Sequence, residues 1–127
     1  MGEKYAVQTD KAAEMGGPYS QAIVHKGFIF VSGQGAVDPI TNQVTAGTIE
    51  TETRLALENI KIILTEAGSS LNNILQVRAY LTDIREYGRF NDAYREYFKN
   101  PMPARTCLQV KSLPFGLRVE IDAVGFV

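Results

Sequence analysis

The chain has 127 residues, with 13 Lys and Arg against 14 Asp and Glu and a formal net charge of −1, so it lacks the excess of positive charge by which most nucleic-acid binders hold their ligand. Hydrophobic residues make up 45% and charged residues 21%, ordinary for a globular protein, and the length fits a single domain over residues 1–127. One cysteine, Cys107, and one histidine, His25, rule out an intrachain disulfide and leave too few Cys and His ligands for a zinc site within one chain.

No apolar h-region follows Met1 to Tyr5, and no apolar run approaches the length of a membrane span, so a cytoplasmic protein with no membrane partner is expected. The segment "GGPYSQA" (16–22) is turn chemistry, within which Tyr19 reads as a packing residue with a satisfied hydroxyl. "AIVHKGFIFVSG" (22–33) predicts two strands around a tight Lys26-Gly27 turn. Phe28 to Val31 are apolar on both alternating faces, which predicts cover on both sides. Ser32 and Gly33 fall at the end of that strand, where a glycine lets a ligand approach backbone N–H groups. Gly33-Gln34-Gly35 is not a dinucleotide fingerprint, because Asp38 stands where the third glycine belongs.

In "GTIETETRLALENIKIILTEAGSS", Ile49, Thr53, Ala56, Ile60, Ile63 and Ala67 recur at spacings of three and four and predict a helix, with Glu52, Arg54, Glu58 and Lys61 off the apolar stripe and Gly68 as its stop. Residues 73–83 alternate as a strand. Asp83 and Glu86 are spaced as a capping box, and a second helix is expected up to Asn100-Pro101, with Ile84, Tyr87, Tyr94 and Phe98 on one stripe. Asn91 falls on that stripe; a buried amide needs partners, so it either binds a ligand or fastens a loop. Two strands close the chain, 104–111 and 118–126.

Arg105, Cys107 and Gln109 share one strand face. The guanidinium of Arg105 fits a carboxylate or phosphate ligand, and equally a structural ion pair. Glu120 alternates with apolar neighbours, as on the polar face of a half-exposed strand, and acts as general acid or base only if a pocket lies beside it. The element order predicts an α+β sandwich: a mixed β-sheet with two helices on one face, and a bare second face that another copy of the chain would cover. Arg105 and Glu120 both lie near the starts of their strands. If these run antiparallel, about five residues at ~3.3 Å each, roughly 16 Å, separate them, and one site using both would draw them from different subunits.

"GPYSQA", "VSGQ", "FN", "PAR" followed by Cys107, "LP" and "VEI", in that order over nearly the whole chain, resemble the RidA (YjgF/YER057c/UK114) family of enamine/imine deaminases. The resemblance implies a fold like the small chorismate mutases and a homotrimer with sites between subunits. It also implies hydrolysis of 2-aminoacrylate- and 2-aminocrotonate-type enamines, through their imines, to 2-keto acids and ammonia, with no metal or organic cofactor. By the same resemblance Arg105 grips the substrate carboxylate and backbone groups of Gly33 and Cys107 hold the substrate. Glu120 then positions or activates water, Tyr19 and Ser32 complete the polar wall, and Asn91 lines or supports the pocket. A non-catalytic module binding a 2-keto acid is the alternative. An RNA-cleaving role, attributed to some relatives, runs against the acidic balance.

Overall fold

The computed structural model describes residues 2–127. Six strands form one sheet: β1 (Tyr5–Val7), β2 (Ala22–His25), β3 (Phe28–Gln34), β4 (Ile74–Leu81), β5 (Ala104–Gln109) and β6 (Val119–Phe126), in the spatial order β1-β2-β3-β6-β4-β5. Neighbours run antiparallel except β4 and β5, which are parallel. A parallel pair needs a crossover, and the segment holding the second helix supplies it. Lys26 (φ 50°) and Gly27 (φ 82°) both occupy the left-handed region, as the expected two-residue hairpin between β2 and β3 requires. Among the described residues no helix is long and apolar enough to cross a membrane.

Helix α1 (Ile49–Glu66) begins at Thr48, whose hydroxyl accepts from the Thr51 N–H at 3.2 Å. It stops at Gly68 (φ 78°): the N–H groups of Gly68 and Ser69 reach back to the carbonyls of Thr65 (3.0 Å) and Leu64 (2.8 Å), so glycine's left-handed backbone closes the helix as its position suggested. With α2 (Tyr87–Tyr94), α1 covers one sheet face, and Ile29, Ile60, Leu64, Val77, Phe90 and Ile121 meet between the layers. Burying each such side chain contributes about 1.5–3 kcal/mol.

The structure corrects several expectations. Strand β1 was not anticipated, because three residues are too few to show an alternation. Glu52 lies inside, 1% exposed; its two oxygens accept the Arg118 N–H (2.7 Å) and the Gly47 N–H (3.0 Å), which makes burial of a carboxylate tolerable. The second helix ends at Tyr94, six residues before Asn100-Pro101, and its buried residues are Phe90, Ala93 and Tyr94, whereas Ile84 and Tyr87 are exposed. The cause is local. Ile84–Glu86 form a 3₁₀ turn, capped by the Asp83 side chain on the Arg85 N–H (3.0 Å), and three residues per turn instead of 3.6 puts Ile84 out of phase with the helix that follows. Finally, Ile29 and Val31 are buried but Phe28 and Phe30 are 47% and 48% exposed, so one chain covers only one side of β3.

Asn59, fully buried on α1, ties two loops to the helix. Its Oδ1 accepts the Ala13 N–H at 2.9 Å and its Nδ2 donates to the Val37 carbonyl at 2.8 Å. Asn59→Ala leaves both backbone groups buried without partners and is expected to cost about 2–4 kcal/mol, read as a lower urea midpoint at unchanged slope. An unchanged midpoint would mean that the two loops are held by other contacts.

Candidate functional site

Arg105 stands on β5, the sheet edge, and points under α2. Its Nη2 donates to Asn91 Oδ1 (2.8 Å) and to the Tyr87 hydroxyl (3.1 Å), and its guanidinium carbon lies 4.7, 5.2 and 5.6 Å from the ring centroids of Tyr94, Phe90 and Tyr87. Stacking on aromatic faces stabilises a cation without neutralising it. Among the described residues Arg54, Arg78, Arg85, Arg89, Arg95 and Arg118 each pair with a carboxylate, and Arg105 alone does not. The structural ion pair open to it in sequence is therefore absent. Nε and Nη1 make no hydrogen bond among the described residues, so the guanidinium keeps donors that could meet an anion. Asn91 resolves as the residue that orients this guanidinium. Cys107, on the same strand face, is half-buried, and burial pushes its thiol up despite the opposing charge of Arg105, so nothing activates it as a nucleophile.

The other expected residues gather elsewhere. Between the pairs Val31–Ala123 and Gln34–Ile121, two residues of β3, Ser32 and Gly33, oppose the single Asp122 of β6. This β-bulge sets Gly33 against Glu120: a Cβ added at Gly33 would lie 2.8 Å from the Glu120 carboxyl carbon. The Ser32 hydroxyl donates to the Ser20 carbonyl at 2.6 Å and so holds the loop that carries the exposed Tyr19. Gln21 fastens the same loop, accepting from the Thr9 N–H (2.7 Å) and donating to the carbonyls of Thr9 (3.1 Å) and Ala13 (3.0 Å). Tyr19, Gly33 and Glu120 thus share one cleft. The Glu120 carboxyl makes no side-chain hydrogen bond or ion pair among the described residues; burial, then the neighbouring Asp122 charge, push its pKa upward. Asp122 itself pairs with Arg78 at 2.9 Å and accepts from the Tyr80 hydroxyl at 3.3 Å.

Within one chain the two groups do not meet, and the reason is stronger than the expected offset. Arg105 is in register with Val77, which is in register with Ala123, both buried under the helices; Glu120 is in register with Tyr80, one step out of phase. The two side chains leave opposite faces of the sheet. They also lie two strand spacings apart, about 10 Å, with a further ~10 Å along the strands. Tyr87, Asn91 and Tyr94 fall on the stripe expected from the sequence, and all three meet Arg105; sequence reasoning missed Phe90, which lies off that stripe, and the docking of the stripe on Arg105, because a contact between α2 and β5 leaves no local signal. It also missed Gln21, a buried amide inside a loop, for which no periodicity gives a signal. No group of three His, Cys, Asp or Glu side chains able to hold a metal ion occurs among the described residues.

Comparison with known proteins extends this geometry. The family described as Endoribonuclease L-PSP matches residues 9–127. A RutC family protein of Pyrococcus abyssi is 42% identical over 123 residues, covering 97% of both chains. The human 2-iminobutanoate/2-iminopropanoate deaminase is 40% identical over 119 residues, 94% of this chain and 87% of that one. The crystal structure of Escherichia coli TdcF with bound serine superposes with a TM-score of 0.89 at 31% identity, covering 97% and 98% of the two chains. By sequence and by fold, the chain belongs to the RidA (YjgF/YER057c/UK114) family, some of whose members at about 40% identity, the human one among them, bear the name 2-iminobutanoate/2-iminopropanoate deaminase.

Proposed function

We propose that this protein hydrolyses 2-imino acids, the tautomers of 2-aminoacrylate and 2-aminocrotonate, to 2-keto acids and ammonia, as a cytoplasmic homotrimer whose sites lie between subunits. One observation carries the reading: a guanidinium with no carboxylate of its own, held on an aromatic shelf at a sheet edge, in a relative of named imine deaminases. The bare face with half-exposed Phe28 and Phe30, and the departure of Arg105 and Glu120 from opposite faces, support a site completed by a second chain. Serine bound to TdcF supports a small amino-acid-like carboxylate as the ligand class.

In this mechanism the Nε and Nη1 donors of Arg105 hold the substrate carboxylate, which fixes the imine carbon beside the Gly33 backbone and Glu120 of a neighbouring chain. Glu120 accepts a proton from water as the water oxygen bonds to that carbon. The C=N pair moves to nitrogen, which takes up the proton that Glu120 drew from water. The carbinolamine then collapses: Glu120 takes the hydroxyl proton and returns it to the amino nitrogen, C=O forms, the C–N bond breaks and ammonia departs. Orientation by Arg105 and proton transfer by Glu120 suffice because imines hydrolyse readily in water. The family description names an endoribonuclease, but RNA binding rests on an excess of positive charge, and here 13 Lys and Arg stand against 14 Asp and Glu.

With a threonine dehydratase generating the enamine in situ, wild type is expected to accelerate ammonia release. Arg105→Ala should lose at least about 10²-fold in kcat/KM while light scattering still gives three chains. An active Arg105→Ala sinks the carboxylate clamp, and a mass of one chain sinks the shared site.

Glu120→Gln is expected to slow turnover by about 10²- to 10⁴-fold. Because burial and Asp122 raise its pKa, the Glu120 carboxylate is lost as pH falls through a value above the ordinary 4.5. The acidic limb of kcat/KM should therefore lie above that value in wild type and vanish in the variant. A variant with wild-type turnover would move the reading to a 2-keto-acid binding module.

A further inference from the structure

Glu120 and Asp122 leave β6 on its bare face, and with Arg78 of β4 they line one open cleft. Two donors on β4 lie within reach of Glu120. Tyr80 is its partner in register, and Arg78, opposite Asp122, is its diagonal neighbour. Long side chains span both separations. Yet neither donor turns to Glu120. Arg78 Nε donates to Asp122 Oδ1 at 2.9 Å, and the Tyr80 hydroxyl donates to Asp122 Oδ2 at 3.3 Å. Asp122 is the buried end of the ion pair, its side chain 16% exposed against 58% for Arg78, so it fixes where the guanidinium sits.

The consequence falls on Glu120. Arg78 is the one cation among the described residues that lines either of the two openings beside Glu120; the other titratable side chains there are Glu14 and Tyr19. In the shared site the neighbouring chain adds Arg105, whose donors the substrate carboxylate takes. A carboxylate gripped by a guanidinium and a phenol is a stabilised anion and a weak base. Left without them, it keeps its affinity for a proton. The charge of Asp122 acts in the same sense, second to burial, by pushing the Glu120 pKa upward.

We propose that Asp122 is a positioning residue for the deaminase reaction: it engages Arg78 and Tyr80 and so leaves the Glu120 carboxylate unpaired to draw a proton from water. The inference rests on the deaminase reading.

The test is a pH titration of the Glu120 carboxyl, followed by NMR on protein labelled with ¹³C-glutamate and assigned with Glu120→Gln, beside the pH profile of kcat/KM. Asp122→Asn releases Arg78 to Glu120. A nearby cation favours the charged form, so the Glu120 midpoint should fall by at least about one pH unit, the acidic limb should move down with it, and plateau kcat should drop several-fold. Asp122→Glu, which keeps the acceptor, should titrate as wild type does. Asp122→Asn combined with Arg78→Gln removes the released cation, and its midpoint should rise again above that of Asp122→Asn alone. A midpoint unmoved by Asp122→Asn overturns the proposal. So does a double variant that titrates like the single one, because Asp122 would then act through its charge alone. Should Asp122→Asn fail to fold, Asp122→Ser is read in the same way. If wild type accelerates no imine, the deaminase reading fails, and the titration still decides whether Asp122 holds Arg78 away from Glu120.

Discussion

Alternation along a β-strand is the constraint on which the rest of this structure depends. Each residue step reverses the side chain, so the register of β5, β4 and β6 fixes which groups lie under the helices and which face outward. Arg105 shares its phase with Val77 and Ala123, and Glu120 shares its phase with Tyr80. No rotamer brings the arginine and the glutamate together through the sheet between them. The sheet thus acts as a partition, with a guanidinium that no carboxylate pairs on one side and a carboxyl that no cation pairs on the other, among the described residues.

Each side is held by buried polar groups rather than by apolar packing alone. Glu52 joins the start of α1 to the approach of β6, Asn59 joins the same helix to two loops, and Gln21 closes the loop that carries Tyr19. Such groups are costly to bury and directional once buried, so they set loop positions that hydrophobic contact would leave loose. Arg105 is held differently. Three aromatic rings and an amide oxygen orient its charge and leave it uncompensated.

Much of this was legible in the sequence, for identifiable reasons. The hairpin at Lys26-Gly27, the helix ending at Gly68 and the strands at 74–81, 104–109 and 119–126 follow from turn chemistry and apolar periodicity. So does the α+β layering with one bare face. The residues at Arg105 and Asn91 stood out as polar groups in apolar patterns, and the structure pairs them at 2.8 Å. What escaped was whatever depends on contacts distant in the chain. Glu52 reads as a solvent-facing acid until the Arg118 N–H, 66 residues away, arrives above it. Of the stripe expected on the second helix, Tyr94 is buried and Phe98 packs on the core, but Phe90 and Ala93 are buried beside them and Ile84 is not, since a 3₁₀ turn that leaves no compositional mark separates Ile84 from the helix. That Arg105 lacks a carboxylate could be learned only by placing every acidic residue.

The bulge at Ser32–Gly33 has a consequence for descent. Val31 remains opposite Ala123 and Gln34 opposite Ile121, so the extra residue is absorbed between two pairs already in step. Loss of the Gly33 codon would leave a regular ladder, with Ile29, Val31 and Gln34 facing inward as before, and would remove the close approach of Gly33 to Glu120. The frame of the protein and the corner that holds Glu120 are therefore separable by a single short deletion. A lineage can silence or restore such a corner without rebuilding the core beneath it.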